Sequence, residues 1–161
     1  MHPRATELLR LLALEPHVEG GHYRRIYESA TKIAFGNEAR SRATATSIYY
    51  LLAACEISRW HSVDADELWH WYEGESIELL RFDPRDGQLT RHKLGPVSHD
   101  SAPVFVVPAG CWQAARPLGA YALTGGTVAP GYEWRGFSTL ANAPEIAEQL
   151  RAIDPELLDL S

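Results

Sequence analysis

Two periodicities divide the chain. Near the N-terminus, apolar residues recur three and four positions apart over residues 4–14, with Leu8, Leu9, Leu11 and Leu12 set among Arg4, Glu7 and Arg10. That spacing predicts one short amphipathic helix. Pro3 suits a first helical turn and Pro16 stops the pattern. A second helix is predicted over residues 143–150, capped by Asn142 ahead of Pro144, with a short helical tail after Pro155. Between these ends the signals are mostly strand and turn. Strands are predicted over residues 23–27, 44–52, 58–63, 67–72, 76–82, 89–94, 104–107, 112–116 and 121–128. Turn-forming clusters separate them, such as Asp83-Pro84-Arg85-Asp86-Gly87 and Pro108-Ala109-Gly110. Many short strands at close spacing predict a mainly β sandwich or barrel and argue against βαβ units. No repeat or linker interrupts the run, so one domain over residues 1–161 is expected.

Composition narrows the function classes. Hydrophobic residues make up 45% of the chain and charged residues 22%, as in ordinary globular proteins. The formal net charge is -6 and there is no basic run, which argues against a nucleic-acid partner. No apolar run approaches the ~20 residues of a membrane helix, and residues 1–15 lack the apolar core and cleavage site of a signal peptide. No membrane partner and a cytoplasmic location are expected. Cys55 and Cys111 match no zinc or redox spacing and are expected to be buried free thiols.

Candidate chemistry concentrates in two segments, Trp60–Gly74 and Val106–Gln113. The first holds His61, Glu67 and His70 among Trp60, Trp69 and Trp71. A carboxylate in so aromatic a strand is costly unless it is paired or used. Strand alternation puts Glu67, Trp69, Trp71 and Glu73 on one face and His70 on the other, and puts Gln113 on one face with Cys111 and Ala115.

The two segments resemble the paired motifs of the cupin superfamily. His61, Glu67 and Gly74 take the positions of the first histidine, the glutamate and the glycine of its first motif, and Pro108 and Gly110 match the turn of its second. Val63 and Gln113 stand where that pattern has its other histidines. Further stretches (Glu15–Tyr23, Thr46–Leu52, Ser58–His61, Asp66–Tyr72, Val107–Gln113 and Thr127–Glu133) are similar to the cupin family called domain of unknown function 985, or cupin 5. The resemblance implies an RmlC-like jelly-roll β-barrel with short terminal helices, usually a homodimer, with a pocket in the barrel. It implies no settled reaction.

Three readings stay open for the pocket. The first is a metal-independent enzyme of isomerase, epimerase or lyase type. His61 would supply acid–base chemistry near neutrality, Glu67 would orient or oppose it, and Gln113 would hold the ligand. Trp69 and Trp71 would form a stacking wall, and Tyr49, His70 and Glu133 are further substrate-binding candidates. The second is a metal-dependent dioxygenase or isomerase in which His61, Glu67 and Gln113 bind a divalent ion weakly, with His70 in reserve. The third is a ligand-binding module without catalysis. Arg24, Arg25 and Arg116 read as solvated surface charges.

Overall fold

The computed structural model describes residues 1–36 and 40–161. Helix α1 (Pro3–Leu11) precedes strands β1 (Glu15–Pro16), β2 (His22–Glu28), β3 (Lys32–Phe35), β4 (Arg40–Ala43), β5 (Thr46–Ala53), β6 (Ser58–Val63), β7 (Asp66–Gly74), β8 (Ile77–Asp83) and β9 (Gln88–Leu94). Strands β10 (Val104–Val107), β11 (Trp112–Pro117), β12 (Tyr121–Ala129) and β13 (Phe137–Thr139) follow, then helix α2 (Pro144–Ile153) and a 3₁₀ turn over Pro155–Leu160. All strand pairs described are antiparallel.

The strands form a six-stranded sheet, ordered β1-β2-β5-β12-β7-β10, and a five-stranded sheet, ordered β13-β6-β11-β8-β9. Tyr50, Leu52, Trp69 and Ala122 of the first pack against Ile77, Leu79, Leu94 and Ala115 of the second, so the sheets face each other in a jelly roll. Among the described residues the hydrogen bonding does not close the two into one continuous barrel. The five-stranded sheet is covered on its outer face too. There Trp60, Leu80, Phe82, Trp112 and Ala114 meet Ile146, Leu150, Leu157 and Leu160 of the C-terminal helical segment. Cover on both faces gives β6, β8 and β11 nearly continuous runs of buried or half-buried residues.

Local corrections follow from packing. The first helix ends at Leu11, short of residue 14, because Ala13 takes a positive φ of 49°. The reversal lets Leu12 and Leu14 pack on Ala5, Leu8 and Leu51. Asn142 does not cap α2. Ala143 holds that position without a side-chain hydrogen bond, its methyl buried in the core. The β3–β4 hairpin, unpredicted, is exposed along β3 and so carries no burial signature. Cys111 is buried as expected, but Cys55 is exposed, in a turn with φ 67°.

Candidate functional site

The pocket opens at one end of the jelly roll. Its lining includes His61 and Val63 of β6, Glu67 and Trp69 of β7, Ile48 and Tyr50 of β5, Gly126 and Val128 of β12, and His17, Glu19, Tyr132 and Trp134 of the loops. His61 and Glu67 line it and meet Gln113 behind them, the three being 2%, 8% and 0% exposed, which leaves each dependent on its neighbours for hydrogen bonds.

Those neighbours settle which atom points where. The indole Nε1 of Trp69 donates to Oε1 of Gln113 at 2.8 Å. An indole N–H can only donate, so the amide oxygen must face it. The amide NH₂ then lies 2.6 Å from Oε2 of Glu67, to which it donates, and 3.0 Å from Nε2 of His61. Nε2 is therefore an acceptor, and His61 carries its proton on Nδ1, 2.7 Å from the Arg59 carbonyl oxygen that accepts it. Burial pushes the His61 pKa down, against the pull of Glu67, and favours this neutral tautomer. Burial pushes the Glu67 carboxyl up to about 7. Its Oε1 has no hydrogen-bond partner among the described residues and stands over Gly126, where a Cβ would lie 2.8 Å from it. A side chain at that position would push the carboxylate aside.

A second carboxylate shares the pocket. Oε2 of Glu19 lies 3.5 Å from Nδ1 of His61, 3.6 Å from Nδ1 of His17 and 3.3 Å from the Ser58 hydroxyl, which donates to it. The Glu19 side chain is only 10% exposed, and burial pushes its pKa up to about 8 despite the Ser58 bond. The turn that delivers it is tightly built. Gly20 has φ 106°, and a Cβ there would meet the Ile57 carbonyl oxygen at 2.1 Å. The Gly20 carbonyl accepts from the Tyr50 hydroxyl at 2.7 Å, and the Glu19 carbonyl accepts from the Arg59 N–H at 2.9 Å. His17 accepts the Glu19 backbone N–H at 3.4 Å, and burial, then His61, hold its pKa down to about 4. The Tyr132 hydroxyl is buried without a hydrogen-bond partner among the described residues, and burial raises its pKa, with further contributions from Glu19 and Glu67.

The other expected site residues lie elsewhere. Tyr49 and His70 face outward from the six-stranded sheet, each in ring contact with Tyr72. Trp71 packs at the far end of the inner core and donates to the Glu75 carbonyl. Glu133 lines a shallow outer hollow with Arg25, Tyr132, Trp134 and Arg135. Trp60 and Trp112 belong to the core under α2. The stretches that resemble the family contain His17, Glu19 and Tyr132 but give them no pocket role, and Gly126 lies just outside those stretches. The usable signal was the acid set before Gly20-Gly21, which reads as a turn alone unless the turn's direction is known.

The cupin pattern implies a metal, and these residues do not fit one. The only ligating atom of an amide is its oxygen, and in Gln113 that oxygen is turned to Trp69, which engages one of its lone pairs. The NH₂ group stands between His61 and Glu67, where a cation bridging them would sit. Val63, in place of a second imidazole, adds only apolar surface. Among the described residues no group of three or more His, Cys, Asp or Glu side chains is placed to hold a metal ion.

Comparison with known proteins agrees with the fold. A hypothetical protein from Leishmania major superposes with a TM-score of 0.82 at 27% identity, covering 94% of this chain and 97% of that one. A protein from Shewanella oneidensis superposes with a TM-score of 0.75 at 35% identity, covering 88% and 91%. A variant of Bacillus subtilis oxalate decarboxylase matches at TM-score 0.58 and 13% identity, covering 87% of this chain and 34% of that one, and so shows the fold alone. No curated protein matches the chain. Among the described residues no helix is long and apolar enough to cross a membrane. The family model described as "Cupin superfamily (DUF985)" matches residues 6–140, and the chain belongs to that family.

Proposed function

We propose that the chain, working as a homodimer, binds a small molecule in this pocket and performs metal-independent acid–base chemistry on it, of isomerase, epimerase or lyase type. The observation that carries this reading is Oε1 of Glu67. It is an oxygen of a nearly buried, pocket-lining carboxylate and has no hydrogen-bond partner among the described residues, while Oε2 is held by Gln113. A pKa raised to about 7 lets this group take and return a proton near neutrality. In the step proposed, Glu67 removes a proton from a carbon beside a substrate carbonyl. The C–H electron pair moves to the carbonyl oxygen as an enolate, the Tyr132 hydroxyl donates to that oxygen, and the proton returns from Glu67 to carbon. His61 holds Gln113, and through it the Glu67 carboxylate, in register.

The test is solvent exchange in D₂O, followed by NMR with a panel of aldoses, ketoses, 2-oxo acids and amino sugars. The expected result is loss of one C–H signal in compounds that bind. Glu67→Gln should slow exchange, measured at saturating compound, by about 10²–10⁴-fold. Binding without exchange would identify a non-catalytic module, and exchange unaffected by Glu67→Gln would sink the assignment.

A further inference from the structure

We infer that the pocket takes a small organic cation, an ammonium group on a short apolar stem, received between the carboxylates of Glu19 and Glu67. The inference rests on reading this pocket as a ligand site and deepens that reading by naming the ligand class. It does not depend on catalysis.

Both carboxylates are nearly buried, and neither has a lysine or arginine partner among the described residues. Glu19 has Ser58, His17 and His61 for neighbours, and Glu67 has Gln113. The two histidines add no positive charge. His61 is held as the neutral Nδ1–H tautomer, and Nδ1 of His17 is an acceptor for the Glu19 backbone N–H. Arg25 is the one arginine among the lining residues, and it pairs with Glu28 at 3.2 Å. The pocket therefore holds two carboxyl groups whose ionised forms no cation among the described residues compensates. Its walls suit the same ligand. Tyr23, Tyr50, Trp69, Tyr132 and Trp134 all line it, and aromatic faces attract cations most where water is excluded. The Tyr132 hydroxyl, without a hydrogen-bond partner among the described residues, adds an acceptor for an N–H.

Size limits the head group. The cavity holds about 70 Å³, under half of the ~150 Å³ that accommodates benzene. An ammonium with one or two carbons fills it, and the rest of the ligand must leave past Tyr132 and Trp134. Charge sets the pH dependence. Desolvation favours the protonated form of both carboxyls in the free protein, and a bound cation favours the ionised form. Binding therefore releases protons, and affinity rises with pH through the titration of Glu19 and Glu67. The other titratable groups facing them are His17, Tyr23, Tyr50, His61, Tyr132 and Arg25.

Calorimetric titration of the full chain with benzylamine, benzyl alcohol and benzoate, in two buffers of different ionisation heat, tests this. Benzylamine should bind at least tenfold more tightly than the alcohol, release protons at pH 7 and gain affinity between pH 6 and pH 8. Glu19→Gln and Glu67→Gln should each weaken it tenfold or more. The proton release of the unmodified chain decides the matter even if a variant fails to fold. Preference for the alcohol or benzoate, or proton uptake, overturns the cation assignment and leaves the ligand-site reading standing. Saturable binding of none of the three overturns both.

Discussion

In Gln113 the amide turns its oxygen to Trp69 and its NH₂ to His61 and Glu67, so one side chain serves a donor on one side and two acceptors on the other. An imidazole at this position has one N–H and one lone pair and could not serve all three. The residues of this triad were legible from motif spacing, and their inward register from strand alternation. What spacing could not reveal was the direction of the amide, which depends on Trp69 from a different sheet. Nor could it reveal Glu19, brought in by a turn distant in sequence from the motifs. Gly126 is a related case, since its importance lies in what approaches it. Gly126→Ala would place a Cβ 2.8 Å from Oε1 of Glu67 and displace the carboxylate. Its backbone needs no positive φ, so the strand should accept alanine. The expected result is at least a tenfold loss of benzylamine affinity by calorimetry with a thermal midpoint within about 3 °C of the parent. Unchanged affinity would show that the carboxylate is free to move.

Among elements, most strands were readable, the largely exposed β2 included, whereas the β3–β4 hairpin was not. Strands β6 and β10 fall where the pattern put them, because strand-favouring residues and the turn residues that bound them agree in both segments. The β3–β4 hairpin and the short strand β13 lack that agreement, and the early end of α1 follows from Leu12 and Leu14 returning to the core, a tertiary effect. The six-stranded sheet leaves one further consequence. On its outer face Tyr72, Val104 and Val106 are each 44–45% exposed, beside His70 and Leu68, their neighbours in β7. Contiguous apolar surface of this kind supports the proposed homodimer. Light scattering at micromolar concentration should give twice the chain mass, and Val104→Glu with Val106→Glu should return it to one. A parent that is monomeric under those conditions would count against the dimer.

For the molecule as a whole, the buried carboxylates set the response to pH. Glu19 and Glu67 are raised in the folded state, so folding favours their protonated forms. Their stabilising contribution is complete below about pH 4.5 and is lost as pH rises through 7 and 8. His17 and His61 are lowered, so their contribution is present above pH 6.5 and is lost on acidification below it. The two effects oppose each other below 6.5, and above it the carboxylates act alone. Without ligand, stability should fall between pH 6.5 and 8 by about 1 kcal/mol per pH unit near pH 7, measured by urea unfolding. Glu19→Gln should flatten that slope, and a flat profile in the parent would show both carboxyls ionised throughout. The placement of the tryptophans has a consequence of a different kind. Trp60, Trp69 and Trp112 are at most 5% exposed and Trp71 is half-buried, whereas Trp134, at the mouth, is 59% exposed. The chain thus carries a built-in optical gauge: the long-wavelength edge of its fluorescence comes chiefly from the residue a ligand would cover, and occupancy can be followed by colour without a label.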